Sequence, residues 1–183
     1  MSAVTSDNYA GGRKIAEFLL AAGHRKIGHI AGWEGASTQR DREAGFISAL
    51  AEAGVALYSR AEGDFSMEKA ANATRTMFAS DPPEAVFVAN DHMALAVMDT
   101  LRFDLGLRVP EDVSVVAYDD VPAAGWAAYN LTTVRQPANR MVANTVEILL
   151  DQIENGDNEK KRIAIDGPLV LRGSARIPEG WAT

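Results

Sequence analysis

The chain has 183 residues, 47% of them apolar and 23% charged, with a net charge of −7 and no cysteine. That length holds one domain or two small lobes and buries a substantial core. The acidic balance excludes strong non-specific attachment to nucleic acid, which needs basic charge against phosphates. The missing cysteines exclude disulfides, thiolate metal sites and thiol nucleophiles.

The elements follow in chain order. Ser6-Asp7-Asn8 supplies N-cap chemistry for a helix with Ile15, Phe18 and Leu19 on one face, stopped by Gly23. Lys26–Ala31 reads as a strand ending at Gly32. A second helix runs from about Ser37 to Ala53, with Phe46, Ile47 and Leu50 on its buried face. Residues 55–58 read as a weak strand. The loop Glu62-Gly63-Asp64-Phe65 leads to Ser66, the N-cap of a third helix, which Asp81-Pro82-Pro83 breaks. Strand Ala85–Ala89, helix His92–Leu105 and strand Val113–Tyr118 follow. Residues 121–130 read as a loop or short helical turn, and Leu131–Val134 as a strand. Then come a helix over Met141–Ile153, a turn at 155–158, and a closing strand or hairpin over Arg162–Ile165 and Leu169–Leu171. Strands alternating with helices of this length predict an α/β fold, a parallel sheet flanked by helices on both faces.

In such sheets ligands bind beyond the carboxyl ends of the strands. The four strand ends lead to Gly32 with Arg40 and Arg42 beyond it, to Asp64-Phe65, to Asn90-Asp91 and to Asp119-Asp120. A guanidinium, an amide, carboxylates and an aromatic ring on one edge suit a polyhydroxylated ligand. Each residue also has a structural reading: Asp91 and Asp120 as caps, Arg42 as a solvated helix residue, Phe65 as core.

Enzyme chemistry finds little support. His24, His29 and His92 lack metal-ligand spacing and read as structural or exposed. There is no G-x-S-x-G elbow and no P-loop. Gly11-Gly12 does not follow a strand, as a dinucleotide fingerprint requires. No catalytic residue, metal or cofactor is assigned.

An ordered set of motifs resembles the effector-binding core of LacI/GalR-type bacterial transcription regulators. It comprises Asp7-Asn8 with Gly11-Gly12, Gly23-His24-Arg25-Lys26-Ile27, Arg42 with Gly45-Phe46, and Glu62-Gly63-Asp64-Phe65-Ser66. Ala89-Asn90-Asp91, Val109-Pro110-Glu111-Asp112-Val113, Tyr118-Asp119-Asp120, Leu131-Thr132-Thr133-Val134 with Gln136-Pro137, and 169–172 complete it. The resemblance implies a periplasmic-binding-protein-like fold. It also implies allosteric control of operator affinity by a small effector, a sugar or similar polar metabolite. The family's effector contacts fall on Asp7, Arg42, Asn90, Asp119 and Gln136, with Phe65 as an aromatic wall and Thr38 as a further candidate. Ala96 and Ala117 stand where the family often has glycine, Asn130 replaces a common proline, and Arg172-Gly173-Ser174 departs from Arg-Glu-Ser.

The family normally begins with a helix-turn-helix, and none is found in this sequence. The resemblance therefore predicts one complete C-terminal lobe, about residues 24–133 and 162–172, with residues 6–22 and 138–158 as remnants of an N-terminal lobe. The helices at 7–22 and 141–153 are then expected to pack on a sheet outside this chain, and their apolar faces predict self-association or rearranged packing. Expected partners are a small effector and a second copy of the chain, with operator DNA bound only by a longer protein. No segment approaches the roughly 20 apolar residues of a transmembrane helix, and MSAVTSDNYAGG lacks the pattern of a secretion signal, so a cytoplasmic location is expected. A sugar-binding protein of a transporter, which shares the fold, is the alternative.

Overall fold

The computed structural model describes residues 2–154 and 160–181. In chain order the elements are β1 (Ala3–Ser6), α1 (Asn8–Ala21), β2 (Ile27–Ala31), α2 (Ser37–Glu52), β3 (Ser59–Glu62), α3 (Met67–Met77), β4 (Ala85–Val88) and α4 (Asp91–Asp99). They continue with β5 (Ser114–Asp119), β6 (Thr132–Arg135), α5 (Ala138–Glu154), β7 (Arg162–Ile165) and β8 (Leu169–Val170). Between them, a π-helical turn at Thr100–Asp104 extends α4, and a 3₁₀ turn covers Pro122–Gly125.

The main sheet has the order β3-β2-β4-β5-β6-β8. Its first five strands are mutually parallel and β8 is antiparallel to β6. Period-2 alternation sends successive side chains to opposite faces. Val86, Val88, Val115 and Ala117 pack with α3 and α4 on one face. Ala85, Phe87, Val116 and Tyr118 pack with α1 and α2 on the other. Both faces are dry, which is why β2, β4 and β5 read as continuous apolar runs.

Three expectations need correction. Residues 7–22 do not wait for a sheet outside the chain: Ile15, Phe18 and Leu19 of α1 are fully buried against Phe46 and Leu50 of α2. The helices approach closely because Gly12 lies under the Arg42 carbonyl and Gly45 under the Tyr9 carbonyl, where a Cβ would lie 2.0 Å from oxygen in each case. The weak strand at 55–58 starts its ladder later, at Ser59. The Val55 amide is spent closing α2 onto Leu50, and Val55 and Leu57 tuck under the α1–α2 cluster. As the edge strand, β3 alternates half-buried and exposed residues and lacks an apolar run. Finally, Arg162–Ile165 does not close the main sheet. It pairs in parallel with β1, an unforeseen strand, in a separate two-stranded sheet.

α5 lies against β1, with Ile148 buried. Val142, Val146, Leu149, Leu150 and Ile153 of this helix stay exposed. The turn expected at 155–158 lies outside the described residues. Among the described residues no helix is long and apolar enough to cross a membrane.

Candidate functional site

Five parallel strands end on one edge of the main sheet. Along that edge the order is Gln136 after β6, Asp119 at the end of β5, Asn90 after β4, Gly32 after β2, and Asp64-Phe65 after β3. α1, α2, α3 and α4 all start beside it, so the positive ends of their dipoles face this edge.

Its centre is built around Arg42, which α2 carries on its buried face and of which 4% is exposed. The guanidinium donates to Asn8 Oδ1 at 2.9 Å, to the Ala89 carbonyl at 2.8 Å and to Asp119 Oδ1 at 3.2 Å. It lies 3.7 Å from the centroid of the Tyr118 ring, a cation–π contact strengthened by desolvation. Tyr118 is buried, and burial pushes its pKa up to about 12, so the ring stays neutral beneath the cation. Gln136 Nε2 donates to the same Asp119 oxygen at 2.6 Å. Arg42, Asp119 and Gln136 thus form one connected polar group spanning α2, β5 and the end of β6.

Asp119 and Asp120 both have positive φ, 123° and 59°. This uncommon backbone at the end of β5 aims the two carboxylates at different partners. Asp120 accepts from Arg135 at 2.5 Å and from Arg172 at 2.7 Å. Burial opposes its charge, but the two guanidinium groups prevail and hold its pKa below the ordinary carboxylate value. Asp120 is therefore a structural clamp from β5 to β6 and the 171–173 segment.

The remaining candidates divide by what they touch. Asp7 caps α1, accepting from the Ala10 amide at 2.9 Å, and Asn90 caps α4, accepting from the Met93 amide at 3.0 Å. Both are half-buried, so each supports a helix start and still faces the edge. Phe65, at φ 54°, lays its ring over Gly32, where a Cβ would lie 2.3 Å from it. Thr38 is exposed on the first turn of α2.

Sequence reasoning gives no site role to Asn8, Tyr118 or Gln39, and takes Asp91 as a strand-end group or a cap. Asn8 offers N-cap chemistry and a motif position in the sequence, and in the fold it anchors Arg42. Tyr118 supplies the face under the guanidinium. Asp91 is fully buried between Thr133 and the Val121 amide. Gln39, also fully buried, accepts from the Gly32 amide at 2.8 Å and approaches His29 Nε2 and Glu43 at 3.3 and 3.0 Å. His29 is structural: Nδ1 lies 3.0 Å from the Phe87 carbonyl, and burial pushes its pKa down to about 4. A signal existed for Arg42. It stands four residues before Phe46 on a helix whose apolar face must be buried, so its charge requires partners.

Residues 16–175 match the family described as periplasmic binding protein-like domain. The HTH-type transcriptional repressor PurR of Photobacterium profundum is 36% identical over 169 residues, which make up 91% of this chain and 50% of that protein. The chain thus spans about half the length of the curated relatives it matches. The transcriptional regulator CelR–cellobiose complex superposes with a TM-score of 0.87 at 36% identity, over 95% of this chain and 54% of that one. A dimeric lac repressor with an 11-residue C-terminal deletion gives 0.88 at 32% identity, over 96% and 64%. The chain belongs to the periplasmic binding protein-like domain family, in the form that LacI-type transcription regulators carry.

Proposed function

We propose that this chain is the effector-sensing part of a LacI-type transcription regulator, and that its effector is a sugar or similar polyhydroxylated metabolite. The observation that carries the reading is the Arg42–Asp119–Gln136 group at the carboxyl edge of the sheet. A guanidinium fork, a carboxylate and a carboxamide offer directed donors and acceptors to ligand hydroxyls. Asp7, Asn90 and Thr38 add polar groups along the edge and Phe65 adds an apolar wall. A solved relative at 36% identity, the transcriptional regulator CelR, is a complex with cellobiose, which supports a sugar.

Effector binding would act by favouring one arrangement of this domain over another, and so change the operator affinity of an attached helix-turn-helix dimer. Such a protein works in the cytoplasm, self-associates, and catalyses nothing. The transporter alternative is disfavoured because the relatives are described as transcriptional repressors.

Calorimetric titration of the chain with neutral sugars, uronates and purine bases tests the site. The reading expects saturable binding to a sugar, weakened about tenfold or more by Asp119→Asn and by Gln136→Ala. Sugar binding insensitive to both substitutions would place the site elsewhere. Binding confined to a purine would overturn the sugar reading and retain the sensing one.

A further inference from the structure

The order of groups along the sheet edge extends beyond the Arg42–Asp119–Gln136 centre. β5 and β2 are two strands apart, with β4 between them, so Asp119 and the residues after β2 are separated by about 10 Å along the edge. Beyond Asn90 the edge reaches Gly32-Trp33, and then Asp64-Phe65. There a concave depression of ≈ 310 Å³ is lined by Gly32, Trp33, Glu34, Glu62, Asp64 and Lys69.

Trp33 is 59% exposed in this depression, although an indole gains more by burial than almost any other side chain. The backbone that carries it is anchored, and its ring lies against the chain. Its ring covers Gly35, where a Cβ would lie 2.3 Å from it, and its carbonyl accepts the Ala36 amide at 3.1 Å. The preceding Gly32 amide is pinned to the fully buried Gln39. An exposed aromatic face on an anchored backbone carries a reduced ordering cost when a ligand lands on it.

The rim chemistry narrows the ligand. Glu34 and Glu62 pair with Arg60, and Asp64 pairs with Lys69. These carboxylates retain lone pairs for hydroxyl donors, while three of them against the single Lys69 in the lining disfavour an anionic group. An aromatic platform with ion-paired carboxylates around it matches a neutral sugar ring, apolar face on the indole and hydroxyls toward the rim.

We propose that Trp33 is the platform of a second subsite, and that the effector is a neutral ligand of two linked sugar rings lying along the sheet edge. One ring occupies the Arg42–Asp119–Gln136 centre and the other stacks on Trp33. This rests on the sugar-sensing reading, and the experiment separates the two. The full 183-residue chain is titrated calorimetrically with methyl β-glucoside, methyl β-galactoside and methyl β-xyloside, and with cellobiose, lactose and xylobiose. The expected result is that a disaccharide binds about tenfold or more tighter than its matching monosaccharide. Trp33→Ala removes that advantage and leaves monosaccharide affinity unchanged, and Trp33→Phe restores most of it. Monosaccharide binding without a disaccharide advantage overturns the second subsite and leaves the sensing reading standing. So does a Trp33→Ala variant that weakens both ligands equally. Binding of none of the six overturns this inference together with the sugar reading.

Discussion

Thr133 donates its hydroxyl proton to the buried carboxylate of Asp91 across 2.6 Å, tying the start of α4 to β6. The other carboxylate oxygen accepts the Val121 amide at 2.9 Å. Neither partner carries a positive charge. Burial, with help from Asp119 and Asp120, outweighs the two hydrogen bonds and pushes the Asp91 pKa up to about 7.

A raised pKa means that the folded chain holds a proton which the unfolded chain has released above about pH 4. The Asp91 contribution to stability is therefore full below about pH 4 and is lost as pH rises through about 7. Asp91→Asn mimics the protonated side chain, with its amide toward Thr133 and its oxygen toward Val121. The variant should match the native chain in acid. It should then gain on it by about a kcal/mol per pH unit between about pH 4 and 7, with a constant difference above. Urea unfolding of both proteins across this range checks it. Parallel profiles would mean that Asp91 stays charged in the fold.

Arg42 is held by three different acceptors and an aromatic face, and a lysine ammonium cannot reproduce that fork. Arg42→Lys should destabilise the chain by about 3 kcal/mol, because Asn8 and Asp119 lose a buried partner. It should also weaken effector binding, since Asp119 is then fixed by Gln136 alone of these two partners. Denaturant unfolding and calorimetry give the two numbers independently.

Gly12 and Gly45 set the spacing of α1 and α2. A methyl group at either meets a backbone oxygen, which cannot rotate away. Gly12→Ala and Gly45→Ala should each cost about 1–3 kcal/mol or more. Gly12→Ala pushes directly on the Arg42 backbone, so it should weaken ligand binding more than its counterpart does. Equal effects on binding would show that Arg42 is insensitive to helix spacing.

The exposed apolar face of α5 has the opposite consequence from that of α1. Val142, Val146 and Ile153 present a contiguous apolar stripe at helical spacing. The chain should self-associate through it, and Val146→Glu with Ile153→Lys should shift the population toward monomer. Size-exclusion with light scattering measures this. A native chain monomeric at all concentrations would count against the stripe as an interface.

Local chemistry and burial period made most elements legible in the sequence. β2, β4 and β5 could be read because both faces of a parallel sheet are dry. α1 could be read from its Asp7 cap and Gly23, α2 from its apolar period and Gly54, and α3 from Ser66 and the break at Asp81-Pro82-Pro83. The strand ends put Arg40, Arg42, Asp64-Phe65, Asn90-Asp91 and Asp119-Asp120 on one edge, and the family resemblance singles out Arg42, Phe65, Asn90 and Asp119 among them. Other features exist only once distant segments meet. β1 and β7 are short and half-exposed, so their pairing with each other is what makes them strands. Whether α1 or α5 buries its apolar stripe could not be read from two similar periodicities. Paired glycines let α1 reach α2, whereas α5, among the described residues, packs chiefly against β1. In the same way, Asp91 and Asp119 are both aspartates after apolar strands. Their different roles come from what the fold puts within reach: a threonine hydroxyl and an amide for the first, a guanidinium and a carboxamide for the second.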